Sequence, residues 1–192
     1  MVTMTSMLTP GTTVTLQTYR ITGTVDRMLG SGGQGEVYEI RTRDSGHEHR
    51  YALKWYLPTW ATREQWNTLE SLIRLEPPST HFLWPMDVVV IDGSGFGYVM
   101  PLRDASFQGI VELMHGTISP TFRALATCAY HLADAFLQLH TAGLCYRDIN
   151  FGNIFLNPDT GDVLICDNDN VGIDGRAAVG VLGTERFMAP EV

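Results

Sequence analysis

From Val14 onward, apolar and polar residues alternate, first in VTLQTYRI and then in TVDRMLG, the period-two pattern of strands with one buried face. The alternation resumes in EVYEIRTR over 36–43, turns at Asp44-Ser45-Gly46, and returns in HRYALKWYL over 49–57. Between 59 and 75 the period becomes helical, with Trp66, Leu69 and Ile73 on one face and Pro77-Pro78 ending the run. MDVVVIDGSGFGYVMPLRD predicts a strand, a turn at Asp92-Gly93, and a second strand that stops at Pro101, because proline cannot donate to a sheet ladder. After Ser119-Pro120 a helix is expected to run to Gly143. Phe122, Leu125, Ala129, Leu132, Phe136 and Leu139, at spacings of three and four, form its buried face. Two short apolar runs, 154–156 and 163–165, flank Asn157-Pro158-Asp159 and read as a small hairpin. Residues 1–13, rich in Thr and carrying Pro10-Gly11, read as a mobile tail.

Composition narrows this picture. A chain of 192 residues, 44% hydrophobic, suffices for one domain or for two small lobes. The net charge of −8 supplies no basic stripe for nucleic acid or an anionic membrane, so any phosphate must be held locally. Cys128, Cys145 and Cys166 are odd in number and lack CxxC spacing, which indicates neither a disulfide framework nor a zinc site and suits a reduced, cytoplasmic protein. No basic leader precedes an apolar run, and no run approaches the ~18 apolar residues of a membrane span. His131 and His140 have no partners at metal spacing and read as surface or core residues.

The candidate chemistry lies in three places. The hairpin at 154–165 brings the polar residues at its ends together, so that Asp148, Asn153 and Asp167 offer the oxygen ligands that hold Mg²⁺ on phosphates. The plainer reading of an Asp/Asn-rich segment is a series of turns. In GSGGQGEVY, Gly30, Gly32 and Gly35 make GxGxxG between two strands. Absent Cβ atoms let a backbone wrap phosphate, although an ordinary glycine hairpin has the same composition. Lys54 is the only lysine, the other twelve basic residues being arginine, so a compact ammonium was needed there, or the side chain snorkels at a strand edge. Turning 100° per residue from Trp66 puts Glu70 about 40° away, inside the apolar face, and Glu64 about 160° away. A carboxylate in an apolar stripe needs a partner, unless it sits at the stripe's edge and reaches water.

At these residues the chain resembles the protein kinase superfamily, and in particular the bacterial-type serine/threonine kinases. Tyr146-Arg147-Asp148 stands for HRD, Asn153 follows five places after the Asp, and Asp167-Asn168-Asp169 stands for DFG. Gly183-Thr184, Phe187 and Met188-Ala189-Pro190-Glu191 look like the GTxxYxAPE close of the activation segment. The resemblance implies an α+β, bilobal fold: an N-lobe of antiparallel sheet plus one helix over 14–100, a hinge at 101–104, and a partial helical C-lobe over 105–192. It implies ATP and Mg²⁺ as cofactors, with γ-phosphoryl transfer to Ser or Thr of a protein substrate. Asp148 would act on the attacking hydroxyl, Glu70 would pair with Lys54 as the family's helix C glutamate does with its strand lysine, and Arg147 and Thr184 would complete the catalytic set. Gly30, Gly32, Gly33, Gly35, Val37, Lys54, Met100 and Leu102 would hold the nucleotide, Met100 as gatekeeper or plain core, and Asn153, Asp167 and Asp169 the metal.

The pattern also breaks. Asn150 replaces the lysine that neutralises the transferred phosphoryl, and Asn168-Asp169 removes the apolar plug of the DFG switch. No Ser, Thr or Tyr lies between Asn168 and Gly183, so Asp169 or Asp174 is expected to pair with Arg147 in place of a phosphate. The family's domain continues beyond APE, which implies a truncated domain, or one completed by another chain, with self-association through the uncovered helical surface. Two rivals follow: a catalytically impaired nucleotide-binding or scaffold module, favoured by these breaks, and a small-molecule kinase of the same superfamily, suggested by Phe151-Gly152-Asn153.

Overall fold

The computed structural model describes residues 6–44, 46–91, 93, 95–173 and 187. The chain divides into two compact units, one of Met1–Glu76 and Trp84–Leu102, the other of Pro77–Leu83 and Arg103–Val192.

The first unit is a closed six-stranded barrel with one helix, in the order β1 (Thr13–Leu16), β2 (Ile21–Ser31), β3 (Gly35–Asp44), β4 (His47–Tyr56), α1 (Arg63–Ile73), β5 (Asp87–Val90) and β6 (Phe96–Pro101). Every pairing is antiparallel, and β1 closes the barrel by joining both β2 and β5. Alternation puts Val14, Leu16, Val25, Tyr38, Ile40, Leu53, Trp55, Val89 and Val99 in one core. At Gly97 the strands approach so closely that an added Cβ would lie 2.2 Å from the Lys54 carbonyl oxygen, so β6 tolerates only glycine opposite Trp55. Helix α1 begins at Arg63, four residues later than its period suggested, because the Thr62 side chain caps it by accepting from Gln65 N at 3.1 Å. It buries Leu69 and Leu72 and sets Trp66 edge-on to Phe96 at 5.1 Å.

Residues 6–12 are not the mobile tail expected from their composition. Leu8 is buried in the barrel core, and Gly11 N donates to Val25 O at 2.8 Å, so this segment is packed onto the barrel. A second correction concerns Pro77–Leu83, read from the sequence as N-lobe. It belongs to the second unit, where Leu83 N donates to Ile165 O at 2.8 Å and Ile165 N to His81 O at 2.7 Å.

That second unit contains β7 (Gln108–Gly109), α2 (Ile110–Met114), α3 (Phe122–Thr141), β8 (Leu144–Tyr146), β9 (Ile154–Leu156), β10 (Val163–Ile165) and β11 (Val171–Ile173). The predicted hairpin is β9–β10, its turn held by Asn157 Oδ1, which accepts from Asp159 N at 3.0 Å and Thr160 N at 3.2 Å. Helix α3 is long, as expected, and Leu139 is buried as its period indicated, but the rest of the face differs. Ala124, Cys128 and Ala135 face inward, whereas Phe122 is 87% exposed and Leu125 is exposed too. Small residues win that face because the hairpin packs against it at close range: an added Cβ at Gly161 would stand 2.4 Å from Ala124 O.

Candidate active site

Candidate site residues occur in both units. In the first, β2 and β3 meet through the glycine turn, with Ser31 opposite Glu36 and Gly32 N donating to Gly35 O at 2.8 Å. An added Cβ at Gly30, Gly32 or Gly33 would meet no atom within 4 Å, and none of the three has positive φ. Neither packing nor backbone conformation therefore demands glycine at these positions. Glycine there leaves the backbone N–H groups open to close approach, the property a phosphate-binding turn uses. Gly35 is different: its Cβ would stand 2.2 Å from Trp55 O, so β4 requires it.

Lys54 lies on β4 between Val37 of β3 and Tyr98 of β6. Directly opposed residues share a face, as do alternate residues of one strand, so Val37, Ala52, Lys54 and Met100 line the face opposite the barrel core. Lys54 is 3% exposed, its Nζ donating to Gln34 Oε1 at 2.9 Å and standing 5.7 Å from the Tyr56 ring centroid. The expected pairing with Glu70 is not formed among the described residues. Glu70 sits half-buried at the edge of the α1 stripe, whose inward positions are Leu69 and Leu72, so it retains water. Met100 is buried on β6 opposite Ala52, and half-buried Leu102 follows the strand end.

In the second unit, β8 delivers Tyr146, and the chain then loops through Asp148 to the short turn Phe151–Asn153. Asn153 is buried, and its Nδ2 donates to Asp148 O at 2.9 Å and to Asp148 Oδ2 at 3.3 Å. The carboxylate is thus held by its own loop. Asn150 turns inward as well, its Oδ1 accepting from Gly152 N at 2.8 Å. Tyr146 donates to Cys166 O at 2.5 Å, tying the loop to the strand before Asp167. Burial, followed by the charges at Cys166, Asp167 and Asp148, pushes its phenol well above the usual tyrosine range, so it remains a donor.

Asp167 takes the left-handed conformation, φ 53° and ψ 42°, which Asp adopts more readily than most residues. The next residue explains how that geometry is kept. Asn168 is fully buried, and its Nδ2 donates to Leu83 O and to Ile165 O, each at 2.9 Å. The apolar plug expected to be lost is replaced by a bidentate amide. Asp169 is buried in the turn Asn168–Asn170. Of the two carboxylates expected to pair with Arg147, Asp174 lies outside the described residues, and a backbone carbonyl rather than Asp169 accepts from the guanidinium. The turn presents the Asn170 carbonyl, which accepts from Arg147 Nε at 2.9 Å, and the side chain lies over Gly172. Asp174 and Thr184 lie outside the described residues.

Among the described residues no group of three His, Cys, Asp or Glu side chains is arranged around a metal position. Asn153 and Asp167 offer oxygen donors for part of a shell, the arrangement Mg²⁺ uses when phosphates supply the rest.

A sequence profile described as the protein kinase domain matches residues 24–192. The chain belongs to the protein kinase family. Among curated kinases it is 38% identical over 74 residues to the probable serine/threonine-protein kinase WNK5 of Oryza sativa subsp. japonica, covering 36% of this chain and 23% of that protein. It is 31% identical over 65 residues to glycogen synthase kinase 1 of Pyricularia oryzae, covering 33% and 16%. The kinase domain of Mycobacterium tuberculosis PknI superposes with a TM-score of 0.60 at 26% identity, over 84% of this chain and 61% of that one. The chain therefore spans less than two thirds of these relatives' length. Within this kinase-family chain, Gln34, Ala52 and the Asn168 amide were not singled out from the sequence. Only Ala52 had a signal, standing two residues before Lys54 in an alternating strand.

Proposed function

We propose that this kinase-family chain transfers the γ-phosphoryl group of ATP to a Ser or Thr hydroxyl of a protein. The observation that carries this reading is the Asp148–Asn153 pair: a carboxylate fixed by its own loop at 3.3 Å, five residues from the amide that holds it. Glycines that no internal contact requires, together with a buried Lys54, support nucleotide binding. Magnesium-bound ATP would supply the phosphoryl group and much of the charge neutralisation. The glycine turn and Lys54 would hold the phosphates, the Ala52–Met100 face would receive the base, Asn153 and Asp167 would hold the metal, and Asp148 would orient the acceptor hydroxyl and take its proton.

A second reading, a nucleotide-binding module with little turnover, draws on Asn150, whose side chain closes its own loop and leaves no cation there for the transferred group. Two measurements separate the readings. An amine-reactive ATP analogue is expected to label Lys54, the only lysine, under both. Phosphoamino-acid analysis of a generic protein substrate after incubation with Mg-ATP is expected to give phosphoserine or phosphothreonine under the first reading. Lys54 labelling without either would select the second.

A further inference from the structure

Residues 6–16 precede the family-matched segment, 24–192, yet they are built into the first unit. β1 closes the barrel, and the chain before it crosses β3 at Glu36 and Tyr38. Glu36, 8% exposed, accepts from Met7 N at 2.8 Å and from the Tyr38 hydroxyl. Tyr38, 1% exposed, accepts from Leu8 N at 3.0 Å and shares a hydrogen bond of 2.8 Å with the Ser6 hydroxyl. Leu8 then fills the core beside Tyr38. A buried carboxylate with few partners is costly, so each strap N–H it receives matters. Burial and the neighbouring Glu36 carboxylate keep the phenol protonated, so it donates to that carboxylate.

Glu36 is also the residue that ends the glycine turn, directly after Gly35 and in register with Ser31 at the turn's other base. We propose that the segment Ser6–Leu8 is a strap that sets the position of the glycine-rich turn, with Glu36 and Tyr38 as positioning residues for the nucleotide phosphates. This rests on the reading of that turn as the phosphate cradle. The strap holds the C-terminal base of the turn from the side, while at the tip an added Cβ at Gly32 or Gly33 would meet no atom within 4 Å, which leaves that side open to ligand. Withdrawing the strap frees the Glu36 side chain, and the turn gains alternative positions that bind phosphate less well.

The test uses the full chain with Tyr38→Phe, which keeps the ring and removes the hydroxyl, and Met7→Pro, which removes the donor to Glu36 from outside the barrel. Hydrogen exchange in the nucleotide-free chain is expected to accelerate on the order of tenfold at 30–36 in both variants, the size of one lost hydrogen bond to a charged acceptor. The KM for ATP is expected to rise roughly three- to tenfold with kcat unchanged, as for lost positioning of the bound nucleotide. Faster exchange confined to residues 6–12, with 30–36 and the KM as in the parent, would overturn the proposal. If the parent binds no nucleotide, the phosphate-cradle reading fails, and unaltered exchange at 30–36 would separately sink the strap.

Discussion

Replacing Asn168 by leucine removes the two amide hydrogens that fix the turn after Asp167. Each bond, at 2.9 Å, contributes about 1 kcal/mol net. Ile165 O keeps the Leu83 N–H at 2.8 Å, whereas Leu83 O loses the donor it has here. Against this, the variant discards the Asn168 Oδ1, a buried oxygen with no hydrogen-bond partner among the described residues, and adds apolar contact. The net expectation is a loss of about 1–2 kcal/mol, or roughly 3–6 °C in Tm for a chain of this size. Asn168→Asp keeps the shape but turns an oxygen toward two carbonyl oxygens and buries a charge without a donor. That change is expected to cost about 3 kcal/mol or more. Thermal unfolding ranks the variants, and hydrogen exchange locates the loss, which is expected at 165–171 before anywhere else. A leucine variant as stable as the parent, with the aspartate variant no worse than leucine, would refute the reasoning, since the carbonyls would then not depend on those two hydrogens.

Three further outcomes are expected. Gly97→Ala should fail to fold or lose about 3 kcal/mol or more, because its Cβ meets backbone, while Gly33→Ala should leave Tm unchanged and weaken nucleotide binding, as equilibrium titration would register. Thr62→Ala should cost about 1 kcal/mol through loss of the α1 cap, read as a lower denaturant midpoint at constant slope. The Tyr146 phenol is raised in the folded chain, so its neutral form is favoured. The stability it contributes is complete below the ordinary tyrosine value of about 10 and lost as pH rises above it. Tyr146→Phe should therefore show a shallower stability loss than the parent in alkaline titrations above that value, and an equally steep loss would count against the buried phenol.

What was legible in the sequence was what is local. The glycine turn lies between strands as its spacing indicated, Lys54 lies in an apolar strand, and the β9–β10 hairpin follows from two apolar runs around an Asx turn. What was misread depends on contacts distant in sequence. The face of α3 was assigned to its large apolar residues, which holds for Leu139, but at the other end close packing of Gly161 selects the small Ala124. Glu70 was given to Lys54 by the helical wheel and the family resemblance, neither of which tells the edge of a stripe from its centre, and Gln34 from the glycine turn accepts from the ammonium. The strap over Glu36 spans about thirty residues of sequence and has no periodic signature. Composition marked it as tail because backbone N–H groups and a Ser hydroxyl look the same in sequence whether they hydrogen-bond to water or to buried Glu36 and Tyr38. In the same way, an Asn in place of the apolar plug looked like a loss, since its two carbonyl acceptors lie 3 and 85 positions away.

The central claim, that Asp148 serves phosphoryl transfer to a protein hydroxyl, is tested most directly by intact mass. The chain and a generic protein substrate would be incubated with Mg-ATP beside an Asp148→Asn control, whose amide cannot take the hydroxyl proton. The account predicts phosphate added by the parent and none by the control. Phosphate added equally by both, or by neither while Lys54 still takes the nucleotide label, would contradict it.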